Sequence, residues 1–426
     1  MHSYLLSGKI EKKDRKGFIM KTVKFLHCAD LHLDSPMSGL KYLPEGIFTR
    51  LQKSTFNALS KITELALFHE VDFVVISGDI FDGEDRSLRA QAGFRKEMTR
   101  LHEKGINVYV IHGNHDHLGG TWTQMTWPKN VHIFGPDVEV KRFNKQNGTA
   151  VHLYGFSYPQ RHVSESWIER YVKSSEADFH IGMLHGHFEG SSDHAKYAPF
   201  RLTDLLQKKF DYWALGHIHK REVLATEPPI VYPGNPQGRN RKETGIKGCY
   251  IVSLTEHSTD LNFQETSDVV WMERTLDGSL VTNLGSLFDL CQNAILDNRL
   301  EGKGVILNLK IDNLKQIEEN RYDSEALEEI METLREDERE TEDFVWIRNI
   351  EVSLLNSYNR SQLAIQGEFF KELFTAVDRF ETWEETLSPL YGHHIARKHL
   401  SKLTEVEKKN ILEEAENKLL QLLSQE

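Results

Sequence analysis

Residues 72–82 read DFVVISGDIFD, a segment in which an apolar run leads directly into a polar turn. The residues FVVIS are largely apolar and β-prone, which indicates a buried strand. Gly78 and Asp79 then begin a turn, so a carboxylate stands at the carboxyl end of that strand. This edge of the sheet is where α/β proteins bind their ligands. The segment therefore predicts an α/β fold with Asp79 in a functional site.

Four other segments have the same construction, with Asp, Asn or His placed just after an apolar run. The runs are VKFLHCA, INVYVIH, FHIGML and DYWAL. The polar residues that follow them are Asp30 and His32, then Asn114, His115 and Asp116, then His185, and last His217 and His219. Such a mixture of oxygen and imidazole donors favours Mn, Fe or Zn over an all-oxygen Mg site.

The number of these donors indicates two metal ions. Seven residues are available as ligands: Asp30, His32, Asp79, Asn114, His185, His217 and His219. Seven are too many for one ion and suit two, provided that one carboxylate bridges them. Two ions about 3.5–4 Å apart can clamp a phosphate, activate a water and stabilise the departing oxygen. The sequence thus predicts a two-metal phosphoesterase site.

Some of these signals are weak when taken singly. An Asp-x-His after a strand is common, and Gly-Asp and Gly-Asn are ordinary turn dipeptides. The segment MLHGHFEG offers both His185 and His187 as a ligand. We favour His185, because it is the first residue after the predicted strand FHIGML, but the choice stays open at this point. The order and completeness of the five segments carry the prediction.

Together these motifs resemble those of the calcineurin-like metallophosphoesterases. Within that group the chain is most similar to the SbcD/Mre-type DNA repair nucleases, and above all to the bacterial YhaO family. The resemblance extends from about Lys24 to Gly238 and includes the segment YPGNPQGRN at its end. It implies a four-layer sandwich, in which two packed mixed β-sheets are flanked by helices.

The resemblance also implies a role for each site residue. One metal would be held by Asp30, His32, Asp79 and His219, and the other by Asp79, Asn114, His185 and His217. His115 would be the general acid, and Asp116 would fix the orientation of its ring.

The function that follows is a two-metal-dependent DNA phosphodiesterase, an exonuclease or endonuclease of DNA repair, in which a metal-bridged hydroxide attacks phosphorus. The cofactors expected are two divalent ions, with Mn²⁺ favoured over Fe²⁺ and Zn²⁺. The alternative is a phosphodiesterase or phosphatase that acts on small phosphate esters.

The net charge of −12 is concentrated in one segment. Gln316–Asp343 contains 13 acidic and 3 basic residues, a net charge of −10, which leaves −2 for the rest of the chain. The segment SEALEEIMETLREDERETED is expected to be an exposed acidic helix. The acidity is therefore not a property of the predicted catalytic domain.

A short basic patch follows the last metal motif. In NPQGRNRKETGIKG, Arg239, Arg241, Lys242 and Lys247 outnumber Glu243. We predict that Arg239, Arg241 and Lys242 contact the phosphates of DNA.

Composition suggests a cytoplasmic protein without a membrane segment. No apolar run approaches the ~20 residues that a membrane helix requires. The three cysteines lack paired spacing, which is typical of reduced thiols. Residues 1–19 show no helical or strand period, and we interpret them as a disordered extension or a mis-assigned start.

The rest of the chain is predicted to form three parts. Residues 20–265 would be the nuclease domain, 266–400 an α/β capping domain with a helical block, and 401–426 an amphipathic helix with a capping box from Thr404 to Glu407. The apolar stripe of that last helix either packs on its own domain or docks to a partner. The resemblance implies DNA, an SMC-like coiled-coil ATPase subunit and a second copy of the chain (a homodimer) as partners.

Overall fold

The computed structural model describes residues 21–37, 39–83, 85–123, 125–174, 176–189, 197–315, 322, 324–354, 360–393, 400 and 403–423. The predicted extension at residues 1–19 lies outside these ranges. Two compact units are present. The first takes in the described residues of Met1–Arg274, Phe288–Leu309 and Ser324–Ile350, and the second those of Thr275–Leu287, Lys310–Asp323 and Glu351–Glu426. The predicted boundaries after residues 265 and 400 remain predictions.

The first sheet has six strands, and four of them are parallel. In spatial order they are β12 (Thr259–Glu265), β11 (Gly248–Thr255), β1 (Thr22–Cys28), β2 (Phe73–Ser77), β3 (Asn107–Ile111) and β4 (Val131–Ile133). Strands β1 to β4 run parallel, while β11 is antiparallel to β1. Two helices, α1 (Glu45–Phe68) and α2 (Leu88–His102), connect the parallel strands. The carboxyl ends of β1, β2 and β3 therefore meet at one edge.

The second sheet also has six strands. In spatial order they are β5 (Glu139–Asn144), β6 (Ala150–Gly155), β7 (Phe179–His185), β8 (Tyr212–Gly216), β10 (Pro229–Tyr232) and β9 (Glu222–Thr226). Strands β6, β7, β8 and β10 are parallel, with antiparallel strands at both edges. A short helix, α3 (Leu202–Gln207), precedes β8.

Three apolar cores hold these layers together. Leu59 and Phe94 of the helices pack on Val74 of the first sheet. Phe25 and Tyr212 belong to a second core, which lies between the two sheets. A third core, on the other face of the second sheet, is built from Tyr154, Phe156, Leu205, Phe210 and Trp213, among others. The predicted α/β sandwich of two mixed sheets flanked by helices is confirmed.

A smaller three-stranded sheet follows in the chain. Its strands are β13 (Val269–Asp277), β14 (Gly304–Leu314) and β15 (Val345–Leu354), and its helices are α4 (Leu284–Asp297) and α5 (Ser324–Glu336). Strands and helices alternate along this part of the chain. The acidic helix is shorter than predicted, because Glu338 is buried and accepts the backbone N–H of Val345 at 2.7 Å and an Arg299 N–H at 3.1 Å. Part of the acidic run is thus structural and not exposed.

The described helices of the second unit are α6 (Arg360–Gln366), α7 (Glu368–Asp378), α8 (Trp383–Gly392) and α9 (Glu405–Leu423). The predicted capping box opens α9, since the Thr404 hydroxyl donates to the Glu407 carboxylate at 2.8 Å and accepts its backbone N–H at 3.3 Å. Within its unit the helix is joined to Arg360 through Glu416, and its Leu420 is buried, with 3% of its surface exposed.

The apolar stripe of α9 is only partly covered. Ile411, Leu419 and Leu423 keep 39%, 45% and 40% of their surface exposed. No helix among the described residues is both long and apolar enough to cross a membrane.

Candidate metal centre

The strand ends of both sheets bring the predicted ligands together. Asp30, Asp79 and Asn114 follow β1, β2 and β3, and His185 and His217 come from the ends of β7 and β8. Strand β7 ends at His185, one residue later than the predicted end at Leu184. The parallel order of the strands therefore accounts for a site built from residues almost 200 positions apart.

The backbone is strained where the ligands leave their strands. Asp30, His32, Asp79 and His217 have positive φ angles of 54°, 42°, 50° and 99°. For residues with a Cβ, this conformation costs on the order of 1–3 kcal/mol each and persists only where the surroundings enforce it. Such residues concentrate at functional sites, and here all four belong to the predicted ligand set.

Gly113 shows how tightly the site is built. A Cβ at this position would lie 2.3 Å from Asp79 Oδ1 and 2.6 Å from His185 Nε2. Only glycine allows the segment GNHD to approach both ligands, which explains the first residue of that motif.

Three donors meet at one end of the site: Asp30, His32 and His219. This group is called here the Glu243 side, because Glu243 lies behind its His219 ring. The Nε2 atoms of His32 and His219 lie 3.1 Å apart. On the far side of each ring, a carboxylate faces Nδ1. The His32 Nδ1 lies 3.1 Å from Asp82 Oδ1, and the His219 Nδ1 lies 2.8 Å from Glu243 Oε1.

This geometry fits a cation. Burial lowers the pKa of His32 to about 4, so its ring is neutral near pH 7. The Nε2 atoms of both rings are directed into one 3.1 Å gap, where lone pairs on both nitrogens would repel each other unless a cation lay between them. A carboxylate behind a metal-binding histidine is also the usual outer arrangement at metal sites.

The other end of the site, called here the Asn114 side, contains Asn114, His185 and His217. Asn114 Oδ1 lies 3.0 Å from His185 Nε2 and 3.2 Å from His217 Nδ1. The His185 Nδ1–H donates to the Ser77 carbonyl at 3.0 Å, which leaves Nε2 directed at the other donors. These distances suit ligands that share one ion.

Asp79 connects the two sides. Its Oδ2 lies 3.4 Å from His185 Nε2 and 3.7 Å from His32 Nε2, while its Oδ1 accepts the His115 backbone N–H at 2.9 Å. One carboxylate oxygen is therefore within reach of both ligand sets, as a bridging ligand must be.

The charges of the site are strongly coupled. Burial opposes protonation of His185, yet the carboxylates of Asp79 and Asp30 raise its pKa to about 9. Burial likewise disfavours the Asp79 carboxylate, but His185 and His32 hold the pKa of Asp79 well below its usual range. Burial, together with the neighbouring His185, lowers the pKa of His217 to about 3. Without metal, a proton on His185 therefore supplies part of the positive charge that this site attracts.

His115 and Asp116 do not pair as the resemblance implied. The His115 Nδ1–H donates to the Asp82 carbonyl at 3.0 Å. The Asp116 carboxylate instead contacts His112 Nδ1 at 2.8 Å and accepts the backbone N–H groups of Gly113 at 2.8 Å and Ile80 at 3.0 Å. Asp116 is thus a brace for the loop that carries GNHD, and the expected role as partner of the His115 ring is corrected.

Sequence reasoning missed the two carboxylates behind the Glu243 side. Asp82 ends the segment SGDIFD. Its position three residues after Asp79 could have indicated a second functional carboxylate in the same turn. Glu243 is the acidic residue in a basic stretch, and it was counted only as a charge that weakened the predicted patch.

The remaining candidates are a possible ligand, His187, and the basic residues Arg239, Arg241 and Lys242. His187 is buried but its ring centroid is 6.2 Å from that of His217, whereas His185 lies among the donors. Arg239 is turned toward Asp82 and Glu243 and its side chain is 14% exposed. Arg241 and Lys242 are exposed, and they form the surface part of the predicted phosphate-contact patch.

Comparison with known proteins identifies the family. A family model for the calcineurin-like phosphoesterases matches residues 23–221. The metallophosphoesterase YhaO of Bacillus subtilis (strain 168) is 41% identical over 400 residues, which cover 93% of this chain and 97% of the relative. The chain belongs to the calcineurin-like metallophosphoesterases. The resemblance seen in the motifs is confirmed, and with it a metal-dependent phosphoesterase fold.

Two archaeal proteins show a weaker similarity. The DNA double-strand break repair protein Mre11 of Thermoplasma acidophilum is 26% identical over 231 residues, which cover 49% of this chain and 58% of that protein. The protein of the same name from Methanocaldococcus jannaschii is 28% identical over 263 residues, covering 58% of this chain and 66% of that protein.

Proposed function

We propose that the chain is a two-metal DNA phosphodiesterase. The observation that carries this proposal is the position of Asp79 Oδ2, which lies within 3.4 Å of a donor on the Asn114 side and 3.7 Å of one on the Glu243 side. One carboxylate that serves two ligand sets is the arrangement on which two-metal phosphoryl chemistry depends.

The residues present fit two divalent cations. The Glu243 side and Asp79 would hold one, and the Asn114 side and Asp79 the other. The mixture of carboxylate, amide and imidazole donors suits Mn²⁺, with Fe²⁺ and Zn²⁺ as alternatives. When bound, the ions would polarise the phosphate and stabilise the charge that develops during in-line displacement.

His115 is proposed as the general acid. Its Nδ1–H is held by the Asp82 carbonyl, an oxygen that takes no proton at ordinary pH. To act as general acid the ring must be in its imidazolium form, with the second proton on Nε2, and the Asp82 contact keeps that nitrogen in a constant direction. The ring is only partly buried, so a substrate oxygen can reach it. General acid assistance of this kind is typically worth 10²–10⁴-fold in rate.

DNA is proposed as the substrate on two grounds. The Mre11 relatives are DNA double-strand break repair proteins by name. Arg241 and Lys242 are exposed beside the segment that carries Glu243, where they can contact a phosphate backbone.

We further propose that the protein works in the cytoplasm with an SMC-like ATPase subunit, which docks on the exposed apolar residues of α9. The free, buried cysteines suit a reducing compartment. Leu419→Glu and Leu423→Glu should abolish co-purification with the ATPase and leave the melting temperature unchanged, because both side chains are already 40–45% exposed. Retained co-purification would rule out this docking surface.

The substrate can be tested on the purified protein with Mn²⁺. We expect cleavage of end-labelled duplex DNA at a much higher kcat/KM than hydrolysis of bis-p-nitrophenyl phosphate, and loss of both activities in Asp79→Asn. A protein that hydrolyses the small ester and leaves DNA intact would be a phosphodiesterase of small substrates instead.

A further inference from the structure

We propose that Glu243, Arg239 and Asp82 form a positioning network that sets the direction of the His32 and His219 rings. Through these rings the network would tune the metal affinity of the Glu243 side. The inference rests on the proposed function, since it concerns the same metal centre, but it assigns a task to three residues that are not themselves ligands.

Glu243 is fixed on every side. Its Oε1 faces His219 Nδ1 at 2.8 Å and accepts an Arg239 Nη2–H at 3.1 Å. Its Oε2 accepts the Asn235 side-chain amide at 2.8 Å and the Arg239 backbone N–H at 2.8 Å. The residue is 9% exposed. A carboxylate with four partners has no alternative rotamer of similar energy, so it holds the His219 ring in one orientation.

Arg239 joins this carboxylate to the one behind His32. Its Nη1–H donates to Asp82 Oδ1 at 2.6 Å, and the same oxygen lies 3.1 Å from His32 Nδ1. The guanidinium is planar and rigid, so it fixes the distance between the two carboxylates as a flexible ammonium group would not. The result is a closed ring of contacts from His32 through Asp82, Arg239 and Glu243 to His219.

The charge of Arg239 is as important as its shape. Asp82 and Glu243 would otherwise place two negative charges behind one pair of imidazoles in a partly buried space. With Arg239 between them, the network carries a net charge of −1. This places a negative charge behind the rings without leaving two unpaired carboxylates.

Asp82 extends the network to the proposed acid. Its side chain faces His32, while its backbone carbonyl accepts the His115 Nδ1–H at 3.0 Å. A shift of Asp82 would therefore move a ligand and the proton donor together. The network positions both groups and contacts no reacting atom itself.

Titration calorimetry of Mn²⁺ into the metal-free protein tests this assignment. For Glu243→Gln we expect the Kd of one of the two ions to rise about 10–100-fold, the usual cost of losing an outer partner of a metal-binding histidine. The other ion should bind as before. Glu256→Gln is the matched control, because Glu256 is an exposed residue in the turn between β11 and β12.

A second variant separates shape from charge. Arg239→Lys keeps the positive charge and leaves Glu243 in place, yet it cannot contact both carboxylates in a fork. It should weaken the same ion, and its effect in combination with Glu243→Gln should be less than additive. Arg95→Lys, an exposed position on α2, is the control. Should Glu243→Gln fail to fold, Arg239→Lys alone carries the test.

Kinetics on bis-p-nitrophenyl phosphate supply a readout that a purely structural role would not move. Saturating Mn²⁺ should restore the kcat of Glu243→Gln with KM for the ester unchanged, because that variant leaves Asp82 and its contact with His115 in place. A change in Kd below about threefold in both variants, well under the expected range, would overturn the network.

The proposed DNA substrate can be disproved independently of the network. If the wild-type protein binds two Mn²⁺ ions and loses one through Glu243→Gln but leaves DNA intact, the network stands and the DNA substrate does not. If the wild-type protein binds none of Mn²⁺, Fe²⁺ and Zn²⁺, both proposals are wrong.

Discussion

The histidine rings on the two sides of Asp79 are supported by different chemistry. On the Glu243 side, the Nδ1 atoms of His32 and His219 face carboxylates at 3.1 Å and 2.8 Å. On the Asn114 side, the His185 Nδ1–H is held by a backbone carbonyl at 3.0 Å. The first arrangement places a carboxylate directly behind each ring, and the second places a carbonyl there, with the Asp30 carboxylate farther from His185 Nδ1 at 3.9 Å.

This difference predicts two unequal metal sites. A carboxylate behind an imidazole raises its basicity and strengthens its bond to a metal. On the Asn114 side, moreover, His185 must give up a proton before a cation binds, since the surrounding carboxylates raise its pKa to about 9. We therefore expect the Glu243 side to fill first and the Asn114 side to bind more weakly at neutral pH.

His115→Ala should have the largest effect on turnover. Loss of the proposed acid should lower phosphodiester cleavage by about 10²–10⁴-fold while both ions stay bound. Metal analysis and kcat on duplex DNA check this, with exposed His102→Ala as the control. If the variant lost an ion from the Glu243 side, His115 would be a ligand there, as its grouping with His32 and Asp79 allows.

Gly113→Ala should displace residues of the Asn114 side through a steric clash. The added methyl group would lie 2.3 Å from Asp79 Oδ1 and 2.6 Å from His185 Nε2, so both ligands must shift. Misplacement of about 1 Å costs on the order of 100-fold in rate, and we expect a loss of that size with weaker binding of the second ion. Gly46→Ala on α1, where a Cβ meets nothing within 4 Å, is the control. Unchanged activity would mean that the site tolerates displacement of the bridging carboxylate.

Asn114→Ala should affect the Asn114 side alone. It removes the amide oxygen that lies 3.0 Å from His185 Nε2, and it leaves the Glu243 side intact. At a Mn²⁺ concentration that gives two ions in the wild-type protein, this variant should retain one. Glu243→Gln should weaken the opposite ion. Loss of the same ion in both variants would show that the two sides do not bind independently.

A smaller effect, on the pH dependence of stability, is expected from His27, a buried histidine without a carboxylate partner. It lies between the sheets beside Tyr212 and Leu215, and burial lowers its pKa to about 3. Because the unfolded ring titrates near 6.5, the folded state binds fewer protons between pH 6.5 and pH 3, and stability falls as pH falls through that window. At pH 5 the loss is about 2 kcal/mol.

The measurement is the free energy of unfolding by urea in metal-free protein at pH 7 and pH 5. The difference between the two pH values should be about 2 kcal/mol smaller in His27→Gln than in the wild-type protein. An equal difference in both proteins would show that His27 is not held neutral by the sandwich.

The clustering of the candidate ligands could be predicted from sequence because each of the five segments follows a strand, and a strand end is a local signal. The roles of Asp82 and Glu243 could not, since their partners His32 and His219 are brought to them only by the packing of separate loops. The pairing of Asp116 with His112 was missed for a related reason. Asp116 was expected to pair with His115, its neighbour in GNHD. In the folded loop its partner is His112, four positions earlier.

The acidic segment shows a different limit of the sequence. Its helix was predicted from its acidic composition, which is a local property, and α5 is present. The end of that helix at Glu336 depends on Glu338 reaching Arg299 and the start of β15. No feature within the run distinguishes this buried carboxylate from the exposed ones around it.

Electron paramagnetic resonance of the protein loaded with two equivalents of Mn²⁺ tests whether Asp79 joins two metal sites. We expect the spectrum of an exchange-coupled Mn²⁺ pair, because one carboxylate would bridge ions only a few ångströms apart. In Asp79→Ala both the coupled signal and stoichiometric binding should be lost. A wild-type spectrum of isolated Mn²⁺ ions, or a coupled pair that survives in Asp79→Ala, would contradict the assignment of Asp79 as the bridge.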